Sequence, residues 1–231
     1  MKVLKFGGTS VANAEAITQL KSIVASLNSN DLVVVVSALG GVTDKLEEAL
    51  EVASSKQSSY RKIFEALEQR HIDLARELYP PAQQGSILAR LKSEFNLLET
   101  LLEGSFLIGE KTARLKDLVM GYGELLSSEV IAGFFECEGL NVHWADSREL
   151  ILTNDQFGRA RVKKAKTYKR LQAFAEANKG KILLAPGFIA SSERGDTTTL
   201  GRGGSDYTAA LWAAALEAEE LQIWTDVSGM Y

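Results

Sequence analysis

Apolar positions in this chain follow two rhythms, and their alternation predicts the architecture. Val3-Leu4-Lys5-Phe6 reads as a short strand, Gly7-Gly8-Thr9-Ser10 as a turn, and residues 11–27, apolar at helical spacing, as a helix. Residues 31–37 contain four consecutive valines. Such a run is too β-branched for a comfortable helix and apolar on both faces, the pattern of a central parallel strand covered on both sides. A second glycine pair, Gly40-Gly41, follows. Residues 44–120 change to charged amphipathic segments such as 60–78 and 86–102, interrupted at Pro80-Pro81, and read as a mainly helical insertion. The alternation then returns, with a helix at 123–137 and strands at 141–145 and 181–185. A polar glycine-rich loop spans 193–204, an alanine-rich helix 205–218 with Ser205 placed to cap it, and a last strand 221–227. This order predicts an α/β fold, a three-layer α/β/α sandwich with a mainly parallel central sheet and the helical insertion at one edge.

Composition narrows the class. The 231 residues are 45% hydrophobic and 24% charged, sufficient for a soluble globular protein with a sizeable core. A net charge of −4 provides no overall positive field to attract nucleic acid or an anionic membrane, so any bound anion must be held locally. Cys137 has no second cysteine to pair with and reads as an inert buried thiol, in keeping with a reducing cytoplasm. Lys2 and Lys5 break up the apolar start of the chain, which therefore does not read as a signal peptide, and no apolar run approaches the roughly 20 residues of a membrane span.

The chemistry concentrates in three glycine-paired loops that each precede a helix: Gly7-Gly8, Gly40-Gly41 and Gly203-Gly204. Adjacent glycines let backbone N–H groups approach an anion, and a helix N-terminus adds partial positive charge, although the same loops also serve as tight connections. Neither G-x-x-x-x-G-K-[ST] nor a helix-opening G-x-G-x-x-G is present, which argues against P-loop and dinucleotide-binding folds. Instead Lys5 precedes its glycines at a strand end, where its ammonium could meet a phosphate over the loop; the alternative is a solubility lysine on an edge strand.

Lys5-Phe6-Gly7-Gly8-Thr9-Ser10-Val11 resembles the opening signature of the aspartate kinases within the amino acid kinase family. Four later blocks agree in order: Val36-Ser37-Ala38 with Gly40-Gly41-Val42-Thr43, Gly123-Glu124-Leu125-Leu126-Ser127-Ser128, Thr199-Leu200-Gly201-Arg202-Gly203-Gly204-Ser205-Asp206, and Thr225-Asp226-Val227. The resemblance implies transfer of the γ-phosphoryl group of ATP to the β-carboxylate of L-aspartate, an early step towards lysine, threonine and methionine. It implies ATP and Mg²⁺ as cofactors, no nucleic-acid or membrane partner, and a homo-oligomer. It assigns Lys5 and Asp206 to catalysis, with Asp206 orienting Lys5. Ser37, Thr43, Glu124, Arg202 and Ser205 fall to the amino acid, Glu124 facing its ammonium and Arg202 its α-carboxylate. Lys5, Gly7, Gly8, Thr225, Asp226 and Tyr231 fall to the nucleotide, and no residue to a metal.

Each assignment has a plainer counterpart. Glu124 and Asp206 could be first-turn acids favoured by the helix dipole, Ser37 and Thr43 helix caps, and Arg202 a surface arginine. The reaction itself suits the residues present. A β-carboxylate, with a reference pKa near 4, is already ionised at neutral pH and needs no general base. Catalysis then rests on positioning and charge neutralisation, and the two histidines, His71 and His143, stand away from every block and read as structural.

The chain ends at Tyr231, whereas family members continue, so the expectation is an incomplete catalytic domain over 1–231 that binds nucleotide poorly by itself, from a parent enzyme either monofunctional or fused to a homoserine dehydrogenase. Ser228 and Met230 stand where family members often carry other residues. Two rival functions remain: a kinase for glutamate, N-acetylglutamate, carbamate or a nucleoside monophosphate, and a non-catalytic amino-acid-binding module.

Overall fold

The computed structural model describes residues 1–225, so Asp226 and Tyr231 lie outside the described residues. Strands β1 (Lys2–Phe6) and β2 (Leu32–Val36) pair in parallel, Lys5 opposite Val35, inside a sheet ordered β3 (Val142–Trp144), β5 (Ile182–Pro186), β2, β1, β8 (Glu220–Trp224). All four pairings are parallel among the described residues. Period-two alternation divides the side chains between two cores. Leu4, Phe6, Val34 and Val36 pack with α1 (Ala14–Ser26), α2 (Val42–Ser54) and α5 (Ala113–Cys137). Val3, Val33 and Val35 pack on the opposite face with α7 (Lys164–Ala177) and α8 (Gly204–Ala215). All five β2 residues are buried, and each valine contributes about 1.5–3 kcal/mol relative to exposure. The expected three-layer α/β/α sandwich is therefore present. Lys5 shares its parity with Val3, which sends it toward α8.

The long helical stretch departs from expectation in placement. Helices α3 (Tyr60–Leu78) and α4 (Gln84–Ile108) join the core cluster on the α2 and α5 side, forming an outer layer over a sheet face instead of sitting at an edge. Helix α5 begins ten residues before the expected start at 123 and runs through Gly121 and Gly123 without a break. It is also long and apolar enough to cross a membrane by composition, contrary to the sequence reading, yet it is a buried core helix packed on β3 and β5. A second sheet, β4 (Leu152–Thr153), β6 (Ile189–Ser192) and β7 (Thr197–Thr199), replaces part of the expected loop at 193–204. The short helix α6 (Ser147–Leu150) leads into it.

Helix ends also move for identifiable reasons. The Asn13 side chain accepts a hydrogen bond from Ala16 N (2.9 Å), so α1 starts at Ala14 after a short 3₁₀ turn, not at residue 11. Gly203, left-handed at φ 74, occupies the cap position of α8, so Ser205 lies inside the helix and is not its cap; α8 ends at Ala215 instead of residue 218. The last strand spans Glu220–Trp224.

Packing between α5 and the α3–α4 connection yields a test. Tyr79 Oη donates to Val130 O at 2.6 Å, and a Cβ at Gly133 would lie 2.6 Å from that hydroxyl. Helix propensity alone would favour Gly133→Ala by up to about 1 kcal/mol. The steric conflict should reverse that sign, destabilising by about 1–3 kcal/mol in urea unfolding. Adding Tyr79→Phe, which deletes the clashing oxygen, should make the double variant less destabilised than the sum of the two single changes.

Candidate functional site

The site is built where α5 meets the loop after β2. A Cβ on Gly123 would fall 2.9 Å from Ala38 Cβ, so only glycine lets the helix come this close. Two further contacts fix the approach: Ser127 Oγ donates to Ser37 O at 2.7 Å, and the Ala38 N–H hydrogen-bonds the Glu124 carboxylate. Glu124 is 4% exposed, and its Oε2 has no hydrogen-bond partner among the described residues. Burial pushes its carboxyl up to about 8, with the Ala38 amide pulling the other way. Glu124 sits mid-helix, so the first-turn dipole explanation for this acid does not hold.

Lys5 approaches the same place from the sheet. It lies on an interior strand and is 9% exposed, which removes the edge-lysine reading. Its Nζ lies 2.7 Å from Asp206 Oδ1, a charge contact without hydrogen-bond alignment. Asp206 belongs to the first turn of α8 and remains half-exposed. Two glycines permit this arrangement: a Cβ on Gly204 would strike the Phe188 ring at 2.7 Å, and one on Gly187 would strike Ser205 at 2.6 Å.

These elements enclose a cavity of about 760 Å³ whose lining includes Lys5, Ser37, Thr43, Glu124, Arg202, Ser205 and Asp206. All seven residues expected at the amino-acid and catalytic site thus come together from four separate chain segments. Asp117, Met120, Phe188 and Thr199 also line it and were not anticipated. Gly7 and Gly8 do not line it. Gly7 lies beside the Lys5 ammonium, and Gly8 packs against Ala38 O and Gly40, so the first two glycine loops are partly explained by close contact with each other. Thr225 lines a separate cavity of about 220 Å³ with Phe6, Thr9 and Ser10. His71 is buried, its ring against Phe95, and His143 stands beside Phe174; neither lines the large cavity. Cys137 is half-buried, and burial raises its thiol. Among the described residues no group of three or more His, Cys, Asp or Glu is arranged to hold a metal ion.

The chain is similar to proteins of one family over its whole length. The amino acid kinase family pattern matches residues 1–231. The chain is 35% identical over 230 residues to the chloroplastic bifunctional aspartokinase/homoserine dehydrogenase 1 of Arabidopsis thaliana, covering 99% of this chain and 25% of that protein. It is 38% identical over 239 residues to lysine-sensitive aspartokinase 3 of Escherichia coli, covering 99% of this chain and 49% of that one. The crystal structure of E. coli aspartokinase III with aspartate and ADP superimposes with a TM-score of 0.89 at 34% identity, over 100% of this chain and 50% of that one. The chain therefore spans between a quarter and a half of the length of these relatives.

The buried carboxylate predicts a pH signature. Folded Glu124 keeps its proton up to about 8, whereas the unfolded side chain releases it near 4.5. The folded state thus binds more protons in that window, and its stability falls as pH rises through it. In Glu124→Gln this loss disappears, so the melting temperature of the variant minus that of the wild type, without ligand, should grow from pH 5 to pH 8. A flat difference across the window would contradict the burial argument.

Proposed function

This chain belongs to the amino acid kinase family, and on that basis we propose that it carries the amino-acid and phosphoryl-transfer site of an aspartate kinase. The observation that carries the reading is the sharing of one cavity by a buried carboxylate with an unpartnered oxygen, Glu124, a guanidinium, Arg202, and an ammonium, Lys5. A free amino acid supplies the complements of the first two. Its ammonium pairs with Glu124 Oε2, and its α-carboxylate meets the planar fork of Arg202. The side-chain carboxylate then lies toward Lys5 and the start of α8, with Ser37, Thr43 and Ser205 offering hydroxyl contacts.

The chemistry follows from charge. An oxygen of the β-carboxylate attacks the γ-phosphorus of ATP, the bond from that phosphorus to the β,γ-bridging oxygen breaks, and ADP leaves with the electron pair. The transfer step itself moves no proton at neutral pH, whereas pairing with the substrate ammonium displaces the proton that empty Glu124 holds. The protein's task is to hold two anions together, and Lys5, kept in place by Asp206, neutralises charge on the transferring group. On the nucleotide side, Gly7 N donates to Trp224 O, which brings the Gly7-Gly8 loop beside Thr225 and favours ATP approaching Lys5 along this edge. Mg²⁺ accompanying the nucleotide would supply further charge neutralisation on the phosphates. We place the protein in a reducing aqueous compartment, the cytoplasm in a bacterial setting.

Trapping acyl phosphate with hydroxylamine tests the reading. The complete protein, given ATP, Mg²⁺ and L-aspartate, should yield the hydroxamate, and glutamate should yield far less; no product with aspartate refutes the proposal. Lys5→Ala should lower kcat by about 10²–10³ while calorimetry still detects aspartate binding, because the lost ammonium acts chiefly on the transferring phosphoryl.

A further inference from the structure

Asp117 lines the cavity, yet the chemistry proposed above does not use it. It is 2% exposed, and both carboxylate oxygens are occupied. Oδ2 accepts from Gly158 N (2.9 Å) and Thr199 N (3.0 Å), and Oδ1 accepts from Thr199 Oγ1 (2.8 Å). These donors come from two segments far apart in sequence, the turn before Ala160 and the end of β7. The segments are also joined to each other, since Ala160 N donates to Thr199 O at 3.3 Å. Thr199 stands three residues before Arg202. Gly201, left-handed at φ 75, lies over Gly158 O, where even a Cβ would sit at 3.8 Å. Asp117 thus holds the root of the Arg202 loop.

The same helix carries Glu124 seven residues later, two turns along and on the same face, about 10 Å up the axis. One rigid element therefore bears the carboxylate that faces the cavity and, two turns toward its N-terminus, the anchor for the loop that presents Arg202. We propose that Asp117 is a positioning residue that holds Arg202 at the separation from Glu124 which the ammonium and α-carboxylate of a free amino acid require. Three of its roughly four acceptor positions are taken by the loop, which leaves little capacity to bind substrate directly. Three hydrogen bonds to one carboxylate fix the start of this glycine-rich loop against α5.

The inference rests on the amino-acid site proposed above, and the test separates the two. In the complete protein, Asp117→Ala should raise the KM for aspartate by about tenfold or more while the KM for ATP changes little. Asp117→Asn should remain close to wild type, because the amide carbonyl can accept both N–H groups and the amide nitrogen can donate to Thr199 Oγ1. Thr199→Val removes a single bond and should give an intermediate KM, which keeps the test available if the alanine variant does not fold. The decisive readout is coupling. Asp117 and Arg202 act through one loop, so the aspartate KM of Asp117→Ala/Arg202→Ala should rise much less than the product of the two single effects. Multiplying effects, or an alanine or valine variant with unchanged aspartate KM, overturn the inference. If the wild type phosphorylates no amino acid, amide exchange still decides: Thr199 and Gly158 should lose protection in Asp117→Ala and keep it in Asp117→Asn, and retained protection in the alanine variant refutes the anchor.

Discussion

The distance of closest approach between α5 and the loop after β2 governs the rest of the site. Because Gly123 has no side chain, the helix reaches Ala38, and the next residue, Glu124, is carried out of solvent against the Ala38 amide. With an alanine at 123 the helix or the loop would have to shift, loosening the contact that buries Glu124. Ser127 reinforces the contact through Ser37 O, and Ser128 Oγ accepts from Trp144 Nε1 at 2.9 Å, binding α5 to β3. One helix thus touches the carboxyl ends of two strands and carries Glu124 into the cavity.

This arrangement weakens the empty protein. A buried carboxylate with an unpartnered oxygen is destabilising, and the protein meets the cost by holding a proton there until about pH 8. Lys5 is also nearly buried, on a strand where its neighbours are apolar, and its counter-ion Asp206 is half-exposed and poorly aligned. A better-aligned, fully buried pair would hold the lysine more firmly but leave fewer of its donors for a phosphate. The site therefore keeps charges that a ligand completes, the expected direction of trade between stability and function.

How much of this was legible in the sequence depended on how far local pattern and tertiary context agreed. The valine run of β2 and the apolar strands beside it were readable because a strand buried on both faces has an unambiguous composition. Lys5, Glu124, Arg202 and Asp206 were readable through the blocks that contain them, not through any periodicity. The second sheet was missed because Thr197–Thr199 and its partners are short and polar, and threonine's β-branching carries little signal over three residues. The start of α5 was misplaced because Gly121 and Gly123 look like helix breakers, although here they are contact points: their missing side chains would meet Ile189, Thr197 and Ala38. Ser205 looked like a cap because serine usually is one, but a left-handed glycine takes that role. Asp117 was invisible because an acid on a long helix is normally solvated. The available clue was its i, i+7 relation to Glu124, on a face that otherwise carries Met120 and Gly121.

Glu124 also bears on which amino acid kinase this is. An N-acylated substrate brings no ammonium, so on binding it would leave the carboxyl protonated, or ionised and uncompensated in a dry site. Neither state gains the charge pairing that a free amine supplies. Buried polar groups discriminate in this way because the wrong ligand leaves them unpaired, and the penalty exceeds what a change in apolar contact can impose. A site for N-acetylglutamate would have little reason to bury a lone carboxylate at this position. Discrimination between aspartate and glutamate cannot come from Glu124, since both present the same ammonium and α-carboxylate. It must come from the reach between those anchors and Lys5, which is a property of how α5, β1 and the Arg202 loop are spaced and not of any single side chain.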